Sequence, residues 1–191
     1  VLEIMERLSL DLLAVQETEC LHQAKVQNIR SRNGKQFLFV HTGAKKGVGF
    51  LISQSLFPLS SENFLEINSR ILRLDLSGKF KKETFFFSVY CPIDQLEGSP
   101  GIQKNRAFYS SLNQTLNAIK KSSTVTILGD FNCTLRKKHN FSPYVGQFAL
   151  RENSKKDSLE RTNADSVFEL VCTHKFRIIN TLQKKSLKDL S

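Results

Sequence analysis

Tryptophan is absent from the 191 residues, methionine occurs once, and proline and glycine number only four and nine. No internal repeat and no linker of domain-separating length interrupts the chain, so a single domain over residues 1–191 is expected, long enough to bury a core. Cysteine is sparse too. Cys20, Cys91, Cys133 and Cys172 form no Cys-x-x-Cys pair and none lies at zinc-ligand spacing from a histidine, which argues against a zinc site and for a reducing compartment. Long apolar runs are missing: none approaches the roughly 18 residues needed to span a bilayer. No basic stretch followed by an apolar one opens the chain, so a nuclear or cytoplasmic location is expected rather than secretion. Acidic residues are the last scarcity. Eighteen Asp and Glu face 28 Lys and Arg, a net charge of +10, and a surface this basic suits a polyanion, most often nucleic acid.

What is present is unevenly placed. Residues 1–103 hold 12 Lys and Arg against 11 Asp and Glu, whereas residues 104–191 hold 16 against 7. The excess in the second half tilts the reading from a merely solvated surface toward a face that meets a polyanion. Hydrophobic content of 40% and charged content of 24% are ordinary for a globular chain, and the 15 Phe are a matter of packing.

Patterning gives the elements. Apolar residues at positions 1, 2, 5 and 8 predict a helix over Val1–Ser9, and Asp11–Gln16 predicts a short buried strand. Cys20–Ile29 suggests a second helix. Gln36–His41 and Val48–Ser53 predict strands around a Gly- and Lys-containing turn. Arg70–Leu76 contains the alternating Leu-Arg-Leu-Asp-Leu of a half-buried strand, and the Phe-rich Glu83–Tyr90 is a further strand that Pro92 stops. A polar loop follows to Gly101. Lys104–Lys121 carries Phe108, Leu112, Leu116 and Ile119 on one helical face, and Thr124–Leu128 is a β-branched strand. Residues 134–161 read as irregular. Thr162 with Asp165 resembles a capping box that opens a helix through Val171, and Phe176–Asn180 predicts a last strand. Strands separated by both hairpins and helices point to an α/β (α+β) protein with mixed pairing.

Three of these strands run into residues with chemical capacity: Glu17 after the first, Tyr90 at the end of the Phe-rich one, and Asp130 and Asn132 after Thr124–Leu128. Loops beyond strand ends present side chains on a rigid frame. Asp130 and Asn132 are two residues apart, so an extended backbone points them the same way, and Gly129 permits close approach beside them. Glu17 and Asp130 supply the hard oxygens that Mg²⁺ prefers, Asn132 both donates and accepts, and Tyr90 can donate to a phosphate oxygen. Together they could support metal-assisted attack of water on a phosphodiester. Each also has a plainer reading: Glu17 as a surface or helix N-terminal charge, Asp130 and Asn132 as an Asx-turn, Tyr90 as a half-buried edge aromatic.

The order of these motifs resembles a known family. Gln16-Glu17-Thr18, Gly47-Val-Gly-Phe-Leu-Ile, Val89-Tyr90-Cys91-Pro92 and Leu128-Gly129-Asp130-Phe131-Asn132 occur as in exonuclease–endonuclease–phosphatase (DNase I-like) domains, Gly-Asp-Phe-Asn being the most specific. The chain is most similar to the endonuclease domains of LINE-type (non-LTR) retrotransposons, where a later strand also ends in Asn-Thr, as in Ile178-Ile179-Asn180-Thr181. The resemblance implies a two-layered mixed β-sandwich flanked by helices. It implies Glu17 as the ligand of a catalytic Mg²⁺ (Mn²⁺ the alternative), Tyr90 at the scissile phosphate, Asp130 activating the attacking water, and Asn132 orienting the phosphate or that acid. The partner would be duplex DNA, nicked by a monomer to leave a 3′-hydroxyl that primes reverse transcription, with no membrane involved.

The chain also departs from that family. Its first strand, with an Asn serving the metal, and its C-terminal strands, with a terminal Ser-Asp-His, have no counterpart here, which implies a domain truncated at both ends. His22, His41, His139 and His174 stand in other contexts. Loss of a catalytic acid–base partner commonly costs about 10²–10⁴-fold in rate, so weak or absent activity is expected. Two alternatives stand beside nicking: a non-catalytic nucleic-acid-binding remnant that uses the basic second half, and a phosphoesterase of the same fold with another substrate.

Overall fold

The computed structural model describes residues 1–20, 25–93, 101–133, 135, 143–146 and 162–181. The chain divides into two compact units: Val1–Cys91 with Asn117–Asp130, and Pro92–Leu116 with Phe131–Ser191.

The first unit is built from two four-stranded sheets. One contains β1 (Leu12–Gln16), β2 (Val26–Arg30), β3 (Gln36–His41) and β4 (Val48–Ser53), in the order β1-β4-β3-β2 and antiparallel throughout. The other contains β5 (Phe64–Asn68), β6 (Ile71–Asp75), β7 (Thr84–Tyr90) and β8 (Thr124–Asp130), in that order. Its first three strands are antiparallel, but β7 and β8 run parallel. A parallel pair cannot be closed by a hairpin, and the chain between these two carries helix α2 (Ile102–Asn117).

Alternation along the strands builds the core. Leu38, Val40, Val48, Phe50 and Ile52 from the first sheet pack with Leu72, Leu74, Leu76 and Tyr90 from the second. The opposite parity of β3 and β4, Phe37 and Leu51, faces away from that interior and packs on Met5 of α1 (Leu2–Arg7). A strand shows successive side chains to opposite faces, so β3 and β4 are apolar on both and serve two cores at once. The expected fold class holds: two facing sheets with mixed pairing and few helices, an α+β arrangement.

Two expectations from sequence are corrected. The helix suggested over Cys20–Ile29 is not formed in its described part, because Val26–Arg30 is strand β2 (residues 21–24 lie outside the described residues). Gly34, at φ 82°, donates its N–H to Ser31 O at 3.0 Å, and Ser31 N donates to Lys35 O at 2.9 Å. That turn sends the chain back, so Val26–Arg30 pairs residue by residue with β3, and the ladder overrides local preference. The strand expected at Phe176–Asn180 is likewise absent. Helix α3 (Thr162–His174) closes through Lys175 at φ 56°, with Phe176 N donating to Val171 O at 2.9 Å. Only Ile178 then makes a β-bridge, to Val145, and Ile179–Thr181 curls into a 3-10 turn. Strand β5 was not anticipated. It is an edge strand, half exposed along its length, with a register shift against β6 between Glu66 and Asn68. Most of the stretch at 134–161 and the loop at 94–100 lie outside the described residues.

Candidate functional site

Three of the four residues singled out from sequence belong to the first unit and converge at one end of its sandwich. Strand β1 delivers Glu17 one residue past its last pair, Gln16 with Val48. Strands β7 and β8 end together, with Tyr90 and Asp130 as register partners. Register partners on neighbouring strands share a face of the sheet, about 4.8 Å apart. The Tyr90 hydroxyl donates to Glu17 Oε1, a hydrogen bond that crosses from the second sheet to the first. Tyr90 is 6% exposed and lies in the inter-sheet core, whereas Glu17 and Asp130 are exposed. The ring is therefore anchored while both carboxylates meet solvent. That overturns the plain alternative of Tyr90 as a half-buried edge aromatic.

Neighbouring contacts hold this end shut. Ser88 Oγ donates to Val15 O at 3.3 Å and accepts from Gln16 Nε2 at 3.4 Å, so β1 and β7 are tied twice just inside the Tyr90–Glu17 bond. Arg70 Nη1 donates to Tyr90 O at 3.1 Å, and its guanidinium lies over the Tyr90 ring, 5.0 Å from the centroid. Cys91 N donates to Asp130 O at 2.8 Å, extending the parallel ladder past Tyr90. Gly129 at φ 149° makes the approach possible: a Cβ there would lie 2.0 Å from Val89 O. Arg70 and Ser88 were not anticipated. Both look in sequence like ordinary strand polar residues, and only the pairing of β6 with β7 for Arg70, and the packing of the two sheets for Ser88, gives them their roles.

The fourth residue, Asn132, belongs to the second unit. Its backbone is left-handed, φ 47°, and its carbonyl accepts from Asn163 Nδ2 at 3.3 Å. Glu17 is left-handed as well, at φ 53°. Non-glycine residues are rarely held in this region, and those that are gather at working sites. Among the described residues the others are Ser9, Glu19 and Lys175, so two of five are residues proposed on chemistry alone.

Two of the four histidines fall among the described residues. His41 is 1% exposed within β3, with Nδ1 accepting from Gly43 N at 3.0 Å and Nε2 3.2 Å from Gln27 Nε2. His174 closes α3, 2.8 Å from Asn113 Oδ1, and burial lowers its pKa below the usual histidine value. His22 and His139 lie outside the described residues. Cys20 and Cys91 are buried, as expected of thiols that pack, and Cys20 Sγ donates to Thr18 O at 2.9 Å.

No protein-family model matches the chain, and no curated protein matches it. A solved structure does: the APE2 catalytic domain of Xenopus laevis, with a TM-score of 0.50 and 17% identity, covering 88% of this chain and 61% of that one. The fold is DNase I-like. The chain spans about three-fifths of the neighbour's length, and the likeness is one of architecture. Among the described residues no helix is long and apolar enough to cross a membrane, and no three His, Cys, Asp or Glu gather as metal ligands.

Proposed function

We propose that this chain is a Mg²⁺-dependent phosphodiesterase that nicks DNA in the manner of retrotransposon endonucleases, slowly, with residues 1–191 acting as one monomeric nuclease domain. The observation that carries the reading is the junction of Glu17, Tyr90 and Asp130: a carboxylate from one sheet bonded to a tyrosine whose strand partner is a second, exposed carboxylate. The DNase I-like fold and the basic charge support it. So does the donor chemistry. Two exposed carboxylates offer only hard oxygens, and Mg²⁺ takes one or two such ligands and keeps waters and substrate phosphate for the rest, so the absence of a third acidic ligand among the described residues is no misfit. Glu17 would hold the ion, which when bound supplies neutralisation of charge on the phosphate.

The chain's own groups take the remaining roles. Asp130 accepts a proton from the attacking water. Tyr90, whose single hydroxyl proton lies on Glu17 Oε1 in the structure, would turn that donor to the scissile phosphate when Glu17 holds the ion, its ring fixed by the core and by Arg70. Asn132 orients the phosphate through its carboxamide. The test is nicking of supercoiled plasmid with Mg²⁺. Slow nicking is expected, abolished by EDTA and by Asp130→Ala, and Mn²⁺ should substitute. Nicking that survives both treatments, or none at any Mg²⁺ or Mn²⁺ concentration, overturns the reading.

One observation favours a second possibility, non-catalytic nucleic-acid binding: the 16 Lys and Arg against 7 Asp and Glu over residues 104–191. Under it, Glu17→Ala leaves salt-sensitive DNA binding intact and there is no cleavage to lose.

A further inference from the structure

Asn163, in the first turn of α3, is fully buried, and its carboxamide faces three main-chain carbonyls. Nδ2 donates to Pro92 O at 2.9 Å and to Phe131 O and Asn132 O at 3.3 Å each. Carbonyls can only accept, so the nitrogen must face them and the amide cannot be turned over. Two N–H groups serve three acceptors, so at least one proton is shared. On its other side Oδ1 accepts from Asn105 Nδ2 at 2.7 Å, and Asn105, 2% exposed in α2, donates again to Ile93 O at 3.3 Å. The Tyr109 hydroxyl reaches the main-chain oxygen of Asn163 at 3.3 Å. Side chain and backbone of Asn163 are thus both held from α2, while its amide holds the turn that contains Asn132.

Burying two carboxamides is costly, and an apolar pair of the same shape could pack there at little loss. What an apolar pair could not do is fix the carbonyl of Asn132, whose left-handed backbone is an uncommon conformation that must be imposed by its surroundings. We propose that Asn163, backed by Asn105, is a positioning residue: it sets the Phe131–Asn132 turn so that the Asn132 carboxamide is pre-oriented for phosphate. The inference rests on the role given above to Asn132. Asn163 touches no substrate in this account and acts through the turn alone.

The test uses the full 191-residue chain with Asn163→Ala, and with Asn105→Ala as a milder variant in case the first folds poorly. Two readouts are taken on the folded fraction. One is single-turnover nicking with Mg²⁺ across DNA concentrations; the other is the ¹⁵N order parameter of the Asn132 backbone amide. Misplacing a catalytic group by about 1 Å can cost 10²-fold, so kcat per folded molecule should fall about 10- to 100-fold with KM unchanged. The order parameter should drop from rigid values near about 0.85 to below about 0.6. Asn105→Ala should move both readouts the same way by less. If the variants merely lower the folded fraction, with kcat per folded molecule and the order parameter unmoved, Asn163 is a packing residue and the proposal fails. If the wild-type chain does not nick, the nuclease reading fails separately, and the Asn132 order parameter alone then decides whether Asn163 sets this turn.

Discussion

At the scale of single residues, the Tyr90 hydroxyl is the most exposed to test. It is the polar tip of a core ring, and its bond to Glu17 replaces solvation lost on burial. Tyr90→Phe removes the donor and leaves the ring, so the protein should lose about 1 kcal/mol of stability, read as a lower urea midpoint with an unchanged slope. Nicking should fall as well. Full stability in Tyr90→Phe would mean that the hydroxyl is equally well served by water. Position 129 offers a harder test. Gly129→Ala drives a methyl into the Val89 carbonyl and should cost about 3 kcal/mol, whereas at Gly78 a Cβ meets nothing within 4 Å and alanine should be neutral within about 0.5 kcal/mol. Equal thermal midpoints for the two variants would contradict the geometry.

At the scale of elements, helix α3 carries a pH prediction. Burial of His174 favours its neutral form in the folded protein. As pH falls below the ordinary histidine value of about 6.5, the unfolded chain takes up the proton first, and stability declines until pH has passed through the lowered folded-state pKa. Urea midpoints between pH 7.5 and 5.5 should therefore drop, and His174→Gln should flatten that dependence. Elements also show what could be read in advance. β1, β3, β4, β6, β7 and β8 and helices α1, α2 and α3 carry their pattern in their own residues, because each buries a face. The misreadings sit where local pattern is weak and a partner decides. Val26–Arg30 is a strand because β3 lies alongside; Phe176–Asn180 is not, because the β-pairing found for it among the described residues is a single bridge, Ile178 with Val145. The site shows the same division. Glu17, Tyr90, Asp130 and Asn132 could be singled out because their side-chain chemistry stands at or just past strand ends, and the structure brings the first three to one end of the sandwich. Arg70, Ser88 and Asn163 were not, since what they do depends on carbonyls and rings 20 or more residues away in sequence.

At the scale of the whole chain, charge leads. If nucleic acid is the partner, the logarithm of the affinity measured by fluorescence anisotropy should fall linearly with log salt, by a slope of about 0.9 per phosphate neutralised on duplex DNA. Glu17→Ala should leave that slope unchanged while removing cleavage. A salt-independent affinity would point to a partner other than a polyanion. The sandwich itself has one further consequence. Its acidic groups are split between the sheets, Glu17 following β1 and Asp130 ending β8, so on the proposed reading neither layer owns the chemistry. Slippage of one layer over the other, too slight to unravel any strand, would already part the two carboxylates. Catalysis would then be the first property to vanish in mild urea, ahead of any change in far-ultraviolet circular dichroism, and the reaction would serve as a gauge of how well the layers mate.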